Sequence, residues 1–347
     1  MAWPSRERPG IQIIKTHRCV GAGRLAAGVC GLAAWSSENG LCGEINPLSL
    51  AILPNENHSV RFFSSSTHTP MQSTDTRYQE LLDWLKTDLD HAFESIEPAS
   101  ADASFRRYFR VRSGENTHIV MDAPPPRENV RPFVKVAGLL SEAGVRTPAV
   151  HAVDAERGFV LLGDLGNLNY LDALSEETVE ALYGDALRAL LTLQQGVSQE
   201  TAELPAYDER LLRTELGIFR EWFLEAWLGL DLSAREADIL GEAGEILIES
   251  ALEQPRVFVH RDYHSRNLMV LDGANPGVLD FQDAVIGPIT YDLASLLRDC
   301  YVDWPSHRVH AWRETYRDAL RDAGLLDDRG VERFNRWFDL MGMQRHI

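Results

Sequence analysis

The sequence predicts an α+β fold of two lobes, a small β-rich N-terminal lobe followed by a larger, mainly helical C-terminal lobe. Two observations support this prediction. Between residues 100 and 165, short apolar strands alternate with polar turns. Beyond residue 166, apolar residues recur at helical spacing and are interrupted only by short strands. We therefore expect an N-terminal lobe at 71–165 and a C-terminal lobe at 166–347.

The N-terminal lobe begins with an amphipathic helix at 78–93, predicted from leucines at helical spacing. A second helix is predicted from the apolar face that Val130 and Phe133 begin, and it ends near Gly144. Two strands precede this helix in the sequence and two follow it. They are predicted at 108–112, 117–121, 149–153 and 159–162.

The C-terminal lobe is predicted to contain two long helices, at 179–193 and 211–228, before its short strands. The second helix contains Trp222, Phe223 and Trp227 at helical spacing, which predicts a face buried in the core. The alternative is that these aromatic residues form a pocket for an acceptor. Short strands follow at 257–259, 268–271 and 278–279, and helices resume at 291.

Composition indicates a folded, acidic protein. Of 347 residues, 44% are hydrophobic and 25% charged, which is sufficient for a sizeable core. The formal charge of -18 argues against nucleic-acid or anionic-membrane partners, because those partners select basic surfaces. No apolar stretch reaches the roughly eighteen uncharged residues that a transmembrane helix requires. Four cysteines do not make a disulfide framework in so long a chain, so the cytoplasm is the expected compartment.

Residues 1–70 differ in character from the rest of the chain. They lack clear periodicity and close on the run FFSSST at 62–67. We interpret them as a disordered leader or, preferably, as the result of a start codon placed too early, with Met71 beginning the functional protein. A targeting peptide is the minority interpretation. The given chain stops within an amphipathic stretch at 331–343, which is compatible with a truncated C-terminal lobe.

One segment of the C-terminal lobe contains the residue types that phosphoryl transfer requires. That reaction needs a carboxylate near the attacking hydroxyl, oxygen ligands for Mg²⁺ and charge compensation for the phosphates. Asp262 follows a predicted strand and is the candidate catalytic base. Asn267 and Asp280 offer amide and carboxylate oxygens, which suit a hard cation. His260 is expected to brace the loop through hydrogen bonds, and His264 is left without a role.

The spacing His-x-Asp-x4-Asn, followed by an Asp at the end of a hairpin, is that of protein kinases and their small-molecule relatives. Residues 260–269, with 287–294 downstream, resemble the aminoglycoside phosphotransferase and choline kinase family. The resemblance covers about residues 75–347. It implies the bilobal protein-kinase-like fold and the use of ATP and Mg²⁺.

The resemblance also implies roles for individual residues. Asp262 would act as the base, and Asn267 and Asp280 would hold Mg²⁺. Asp292 would anchor the catalytic loop through the loop backbone without touching the substrate. These roles rest on the match between the residues of this sequence and the motif of the family.

Within the family, residues 260–269 together with 104–108 and 120–125 resemble the bacterial sugar kinases of cell-wall recycling. Those enzymes phosphorylate the anomeric hydroxyl of N-acetylmuramate and N-acetylglucosamine, so the resemblance implies a small amino-sugar acceptor. The alternative is a kinase for another hydroxyl, such as an aminoglycoside or a choline-like alcohol. A nucleotide-binding pseudokinase is the alternative of a different class. The oligomeric state does not follow from the sequence.

The loop that covers the phosphates in kinases contains no glycine here. Ser104, Phe105, Arg106 and Arg107 occupy its position and are the candidate phosphate contacts, because hydroxyl, backbone amide and guanidinium groups suit phosphate oxygens. The alternative for the two arginines is a solvent-facing position on an edge strand.

The rest of the nucleotide side departs from the family pattern in one place. Leu162 and Asp164 lie in a segment that resembles the hinge between lobes, where main-chain groups contact adenine. The strand at 117–121, however, lacks the usual phosphate-binding lysine. Lys135 on the next helix is the candidate to replace it, and an ordinary exposed helical lysine is the alternative.

Overall fold

The computed structural model describes residues 75–101, 105–273 and 275–347. The predictions for residues 1–70 and for Ser104 lie outside the described residues. Throughout the described part of the chain, every helix is too short or too polar to cross a membrane.

An antiparallel sheet of five strands forms the first part of the described chain. Its spatial order is β1-β2-β3-β5-β4, so β3 and β5 occupy the centre. In the pairing register, Asp122 at the end of β3 lies opposite both Arg107 and Phe159. The strands are β1 (Ser95–Ala101), β2 (Arg107–Ser113), β3 (Asn116–Asp122), β4 (Val150–Asp154) and β5 (Phe159–Gly163).

Four of these strands match the predicted ones within two residues, and β1 was not predicted. Its sequence SIEPASA contains Pro98, which cannot donate a ladder hydrogen bond and is tolerated only at a sheet edge or a bulge. Both conditions hold, because β1 is the edge strand and its register with β2 shifts between Pro98 and Ser100. The strand therefore lacks the apolar alternation that would have revealed it.

Two helices cover the two faces of the sheet. Helix α1 (Thr76–Asp83), continued by a π-helical turn at Trp84–Asp88, packs on the face that displays Phe109 and Val111. Helix α2 (Val130–Glu142) packs on the opposite face, where its apolar stripe joins the main core of the molecule. Successive strand residues point to opposite faces, so neighbouring residues of β2 have different roles.

Beyond the sheet the chain is mainly helical, as the periodicity predicted. Two short antiparallel ladders interrupt the helices, β6 (Arg256–Val259) with β9 (Val285–Pro288) and β7 (Leu268–Met269) with β8 (Gly277–Val278). The helices are α3 (Tyr170–Ala173), α4 (Val179–Gly196), α5 (Glu209–Ile218), α6 (Ala234–Leu252), α7 (Tyr291–Leu297), α8 (Ser306–Asp322) and α9 (Asp328–His346). The predicted α+β class is confirmed.

The predicted burial of the aromatic residues after α5 is wrong. The helix continues as a π-helix at Phe219–Trp227, and in it Trp222, Phe223 and Trp227 are 57%, 45% and 70% exposed. Helical spacing gathers side chains on one face, but it does not show whether another element covers that face. In the described residues none of the π-helix side chains is buried.

Candidate active site

The loop that follows β6 is fixed by a buried carboxylate. Asp292, near the start of α7, is fully buried and accepts hydrogen bonds from the backbone N–H groups of His260 (2.7 Å) and Arg261 (3.0 Å). This is the backbone contact that the family resemblance implies. Burial raises the pKa of Asp292 to about 7, although the two backbone hydrogen bonds act to lower it.

His260 braces the same loop from inside. Its Nδ1 accepts a hydrogen bond from the backbone N–H of Asp262 (3.2 Å), and its Nε2 lies 2.9 Å from the carbonyl oxygen of Leu279. The imidazole is therefore neutral with its proton on Nε2, because a carbonyl can only accept. Complete burial lowers the pKa of His260 to about 4, which maintains this neutral form at physiological pH.

A second buried carboxylate holds the loop further along, and the sequence reasoning did not identify it. Asp299 Oδ2 accepts from both the backbone N–H (2.9 Å) and the hydroxyl (2.5 Å) of Ser265. Asp299 lies two residues beyond the end of α7, the helix that contains Asp292. No local pattern in the sequence identifies Asp299 as a second anchor, because its partner Ser265 lies 34 residues earlier in the chain.

Asn267 and Asp280 occupy neighbouring positions in this framework. The amide nitrogen of Asn267 donates to the carbonyl of Asp262 (3.0 Å), which turns the amide oxygen into the group able to receive a cation. Asp280 follows β8, and its Oδ1 accepts from Gln282 Nε2 (2.8 Å). Asp280 and Arg261 have φ of 62° and 79°, a left-handed conformation that costs non-glycine residues energy and is often found at functional sites.

A cavity of about 440 Å³ lies between the sheet and this loop. Asn267, Asp280 and Phe281 line it from the loop side, and Tyr108 and Leu162 line it from the sheet side. Phe281 also stacks on Phe133 of α2, with ring centroids 4.8 Å apart. The cavity therefore brings the predicted metal ligands and the predicted hinge together in one place.

The donor set at this cavity suits Mg²⁺. One carboxylate from Asp280 and one amide oxygen from Asn267 leave most of the coordination sphere to water and phosphate oxygens, which is how Mg²⁺ is usually held at nucleotide sites. The described residues contain no group of three or more His, Cys, Asp or Glu side chains that could hold a metal ion.

Arg106 and Arg107, adjacent in the sequence, have different surroundings. The Nε of Arg106 donates to Glu128 Oε2 (3.0 Å), and the same glutamate accepts from the backbone N–H of Phe105 (3.3 Å). The side chain of Phe105 itself is 56% exposed. Arg106 therefore lies at the end of the sheet near the segment just before α2.

Arg107 lies on the other face of the sheet. Its Nε donates to the fully buried Asp122 (2.9 Å), which also accepts from Arg77 Nε (2.7 Å). Its Nη1 pairs with Asp75, the N-cap of α1. Because strand side chains alternate, Arg107 faces α1 and the cavity lies on the opposite side. We assign it to the packing of α1 on the sheet, in place of the predicted phosphate contact.

The hinge residues do line the cavity. Leu162 is buried in β5, and Asp164 follows it with its carboxylate bound by Arg110 Nε (2.6 Å) and Nη2 (3.0 Å). Burial acts to raise the pKa of Asp164, but the hydrogen bonds from Arg110 and from the backbone N–H of Gly166 outweigh it, so the pKa is lowered. The Asp164 side chain is thus held within the predicted hinge segment by Arg110.

The hypothesis that Lys135 replaces the missing strand lysine is wrong. Its ammonium group donates to the carbonyl oxygen (2.9 Å) and to the carboxylate (3.3 Å) of Glu203, at the surface of the helical part. The Lys135 side chain is 40% exposed. It is the ordinary helical lysine of the alternative interpretation.

A cluster behind the candidate base was also missed. Arg261 Nη2 donates to Glu215 (3.0 Å), and Tyr207 donates its hydroxyl proton to the other oxygen of that carboxylate. Arg345 from α9 donates to the carbonyl oxygen of Arg261 (2.7 Å) and lies over the ring of Tyr291. These contacts join residues that are far apart in the chain, so patterns of neighbouring residues in the sequence do not predict them.

Comparison with known proteins decides the family. The model of the phosphotransferase enzyme family matches residues 95–334, more than half of the chain. The chain belongs to this family. As a member it is a small-molecule kinase, as the motif predicted.

Relatives with assigned functions are similar over most of their length. The N-acetylmuramate/N-acetylglucosamine kinase of Pseudomonas aeruginosa is 48% identical over 285 residues, 79% of this chain and 83% of that protein. Its namesake in Pseudomonas putida is 45% identical over 287 residues, 80% and 84% of the two chains. The Neisseria meningitidis protein of the same name is 40% identical over 276 residues, 78% and 81%. These findings confirm the predicted family resemblance.

Solved structures show the shared fold. An ADP-bound aminoglycoside phosphotransferase superposes with a TM-score of 0.53 at 17% identity, covering 78% of this chain and 90% of that chain. A Plasmodium vivax ethanolamine kinase gives 0.56 at 14% identity, covering 80% and 83%. The predicted bilobal protein-kinase-like fold is confirmed.

Proposed function

We propose that this enzyme transfers the γ-phosphoryl group of ATP to the anomeric hydroxyl of N-acetylmuramate and N-acetylglucosamine in the recycling of peptidoglycan. The supporting observation is the identity of 40% to 48% with three relatives of that name, over about four fifths of the chain. Because the reaction uses ATP, we propose the cytoplasm as its compartment.

In this proposal Asp262 orients the acceptor hydroxyl and receives its proton as the sugar oxygen attacks the γ-phosphorus in line. The backbone that carries this carboxylate is fixed, because the N–H of Asp262 donates to His260 and its carbonyl oxygen accepts from Asn267. His260 remains neutral throughout and takes no part in proton transfer.

Asn267 and Asp280 are the residues that would hold Mg²⁺. When bound there, the ion supplies positive charge that offsets the charge on the phosphate oxygens. Leu162 and Asp164 would place the adenine through their main chain, because the Asp164 carboxylate is already bound by Arg110. Phe105 and Arg106 would lie over the phosphates.

The reaction site on the sugar distinguishes this proposal from its rivals. ATP consumption is measured with N-acetylmuramate, N-acetylglucosamine, their reduced alditols, an aminoglycoside and choline. We expect turnover of both free sugars and none of the alditols, since an alditol has no anomeric hydroxyl. Turnover of an alditol, an aminoglycoside or choline contradicts the proposal. Binding of ATP without turnover of any acceptor favours a pseudokinase.

A further inference from the structure

The strand that usually provides a phosphate-binding lysine has none here. Strand β3 reads NTHIVMD, and the whole chain has three lysines, at 15, 86 and 135. Of the two in the described residues, Lys86 lies over the ring of Phe93 on the α1 side of the sheet, and Lys135 is bound to Glu203. Positive charge at the cavity in the described part of the chain therefore comes from arginine.

Among the arginines near the cavity, two are engaged elsewhere. Arg110 lines the cavity, but all three of its side-chain nitrogens are bound, two to Asp164 and one to Asn167. Arg266 also lines the cavity and lies over the ring of Tyr301, 4.8 Å from its centroid. Neither lies at the start of β2, next to the predicted phosphate contact Phe105.

Arg106 has the position that the task requires. It immediately precedes β2, and its guanidinium and the Glu128 carboxylate are only 12% and 11% exposed. Burial acts to lower the pKa of Arg106, but the nearby acidic groups of Tyr108, Glu128, Asp280 and Asp283 raise it overall. Tyr108 and Arg110, the next alternate positions along the chain, line the cavity that Asp280 also lines.

We propose that Arg106 binds the phosphate chain of the nucleotide in place of the missing β3 lysine, and that Glu128 is the positioning residue that holds it. The inference rests on the proposed function for the identity of the nucleotide. A guanidinium can bind a carboxylate and phosphate oxygens at the same time, because its donors form a planar fork. The Arg106–Glu128 ion pair then corresponds to the lysine–glutamate ion pair of protein kinases.

Glu128 is well placed to act through Arg106. It precedes Asn129, the N-cap of α2, and it holds both Phe105 and Arg106. The same helix supplies Phe133, which stacks on Phe281 beside Asp280. Helix α2 is thus connected to Arg106 at its N-terminal end and, through Phe133, to the loop that contains Asp280.

The test uses the full chain and measures Kd for ATP with Mg²⁺ by calorimetry, together with KM for ATP and kcat. Arg106→Gln should raise Kd and KM for ATP by about tenfold, and Arg106→Lys should restore part of the loss, because it keeps the charge without the fork. Glu128→Gln should raise both constants by about threefold and leave the KM of the sugar within twofold. Arg107→Gln is the matched control, and it should lower thermal stability without changing Kd for ATP.

A double-mutant cycle separates positioning from general damage. If Glu128 acts through Arg106, Glu128→Gln adds no further loss of ATP affinity in the Arg106→Gln background. An equal loss in both backgrounds contradicts the positioning role, and an unchanged Kd for ATP in Arg106→Gln contradicts the whole proposal. Because calorimetry needs no acceptor, this test remains valid if the sugar assignment fails.

Discussion

The catalytic loop and the phosphate side of the sheet are built on different principles. In the loop, the buried carboxylates of Asp292 and Asp299 accept hydrogen bonds from backbone and hydroxyl donors, and His260 accepts one from the backbone of Asp262. At the sheet, contacts are ion pairs between arginines and acids from separate elements, such as Arg106 with Glu128 and Arg107 with Asp122. The geometry of the loop is therefore fixed by contacts within the protein. At the sheet, the position of each arginine side chain depends on the acidic residue with which it is paired.

The largest effect expected from this contrast is at Asp262. Asp262→Asn should reduce kcat by about 10³-fold, because an amide cannot receive the proton of the acceptor hydroxyl. KM for ATP and thermal stability should change little, since the contacts that hold residue 262 come from its backbone. The exposed Asp272 in the turn between β7 and β8 provides the matched control, and Asp272→Asn should keep full activity. A variant Asp262→Asn that retains a tenth of the activity would refute the assigned role.

The second effect concerns pH and the interior of the loop. The pKa of His260 is lowered from 6.5 to about 4, so the stability that its neutral form contributes is present above pH 6.5 and lost as pH falls toward 4. His260→Gln has no such titrating group. Between pH 6.5 and 4 the free energy of unfolding of wild type should therefore fall by up to about 3 kcal/mol more than that of His260→Gln. Urea unfolding at several pH values measures the difference.

Asp292 changes the free energy of unfolding with pH in the opposite direction to His260. This does not obscure the comparison of wild type with His260→Gln. Its pKa is raised to about 7, so the stability it contributes is lost as pH rises toward 7, in wild type and variant alike. Parallel slopes for wild type and His260→Gln would show that His260 is not buried in its neutral form.

The third effect tests the loop anchor itself. Asp292→Asn places an amide N–H₂ against a backbone donor, which should cost about 1–3 kcal/mol of unfolding free energy and reduce kcat. Asp322→Asn, at an exposed side chain of α8, should change neither. Urea midpoints and initial rates check both. If Asp292→Asn is as stable and as active as wild type, the carboxylate does not fix the loop.

The smallest effect is expected at Lys135. Because its ammonium group is bound to Glu203, Lys135→Met should leave KM for ATP within twofold and change stability by less than about 1 kcal/mol. The same substitution would raise KM many-fold if Lys135 reached the phosphates. Initial rates at varied ATP concentrations distinguish an unchanged KM from a raised one. An unchanged KM would differ from the tenfold rise expected for Arg106→Gln.

Local patterns predicted the parts of the molecule that local interactions determine. The helix α2, four strands of the sheet and the segment with Asp262, Asn267 and Asp280 all depend on residue types at short spacing, which a single sequence displays. Strand β1 escaped because Pro98 replaces apolar alternation with an edge bulge. Strand β9, which pairs with β6, escaped because two of its four residues are Gly287 and Pro288, which are typical of turns and weaken a strand pattern.

What the sequence could not provide are pairings between distant residues. Arg106 and Arg107 are adjacent and chemically identical, yet one is bound to Glu128 and the other to Asp122, on opposite faces of the sheet. Only the direction of each side chain, set by the start of β2, separates them. The exposed Trp227 makes the same point, because periodicity cannot show what covers a helix face.

The position of the transferred phosphoryl group tests the account most directly. Phosphorus–proton correlation NMR of the product formed from N-acetylmuramate and ATP distinguishes the hydroxyls, since phosphate on C1 couples to the anomeric proton, phosphate on C4 to the C4 proton and phosphate on C6 to two protons. We predict one phosphate signal, a doublet that correlates with the anomeric proton, with wild type and no signal above background with Asp262→Asn. A product phosphorylated at another carbon, or equal product from the variant, would contradict the account.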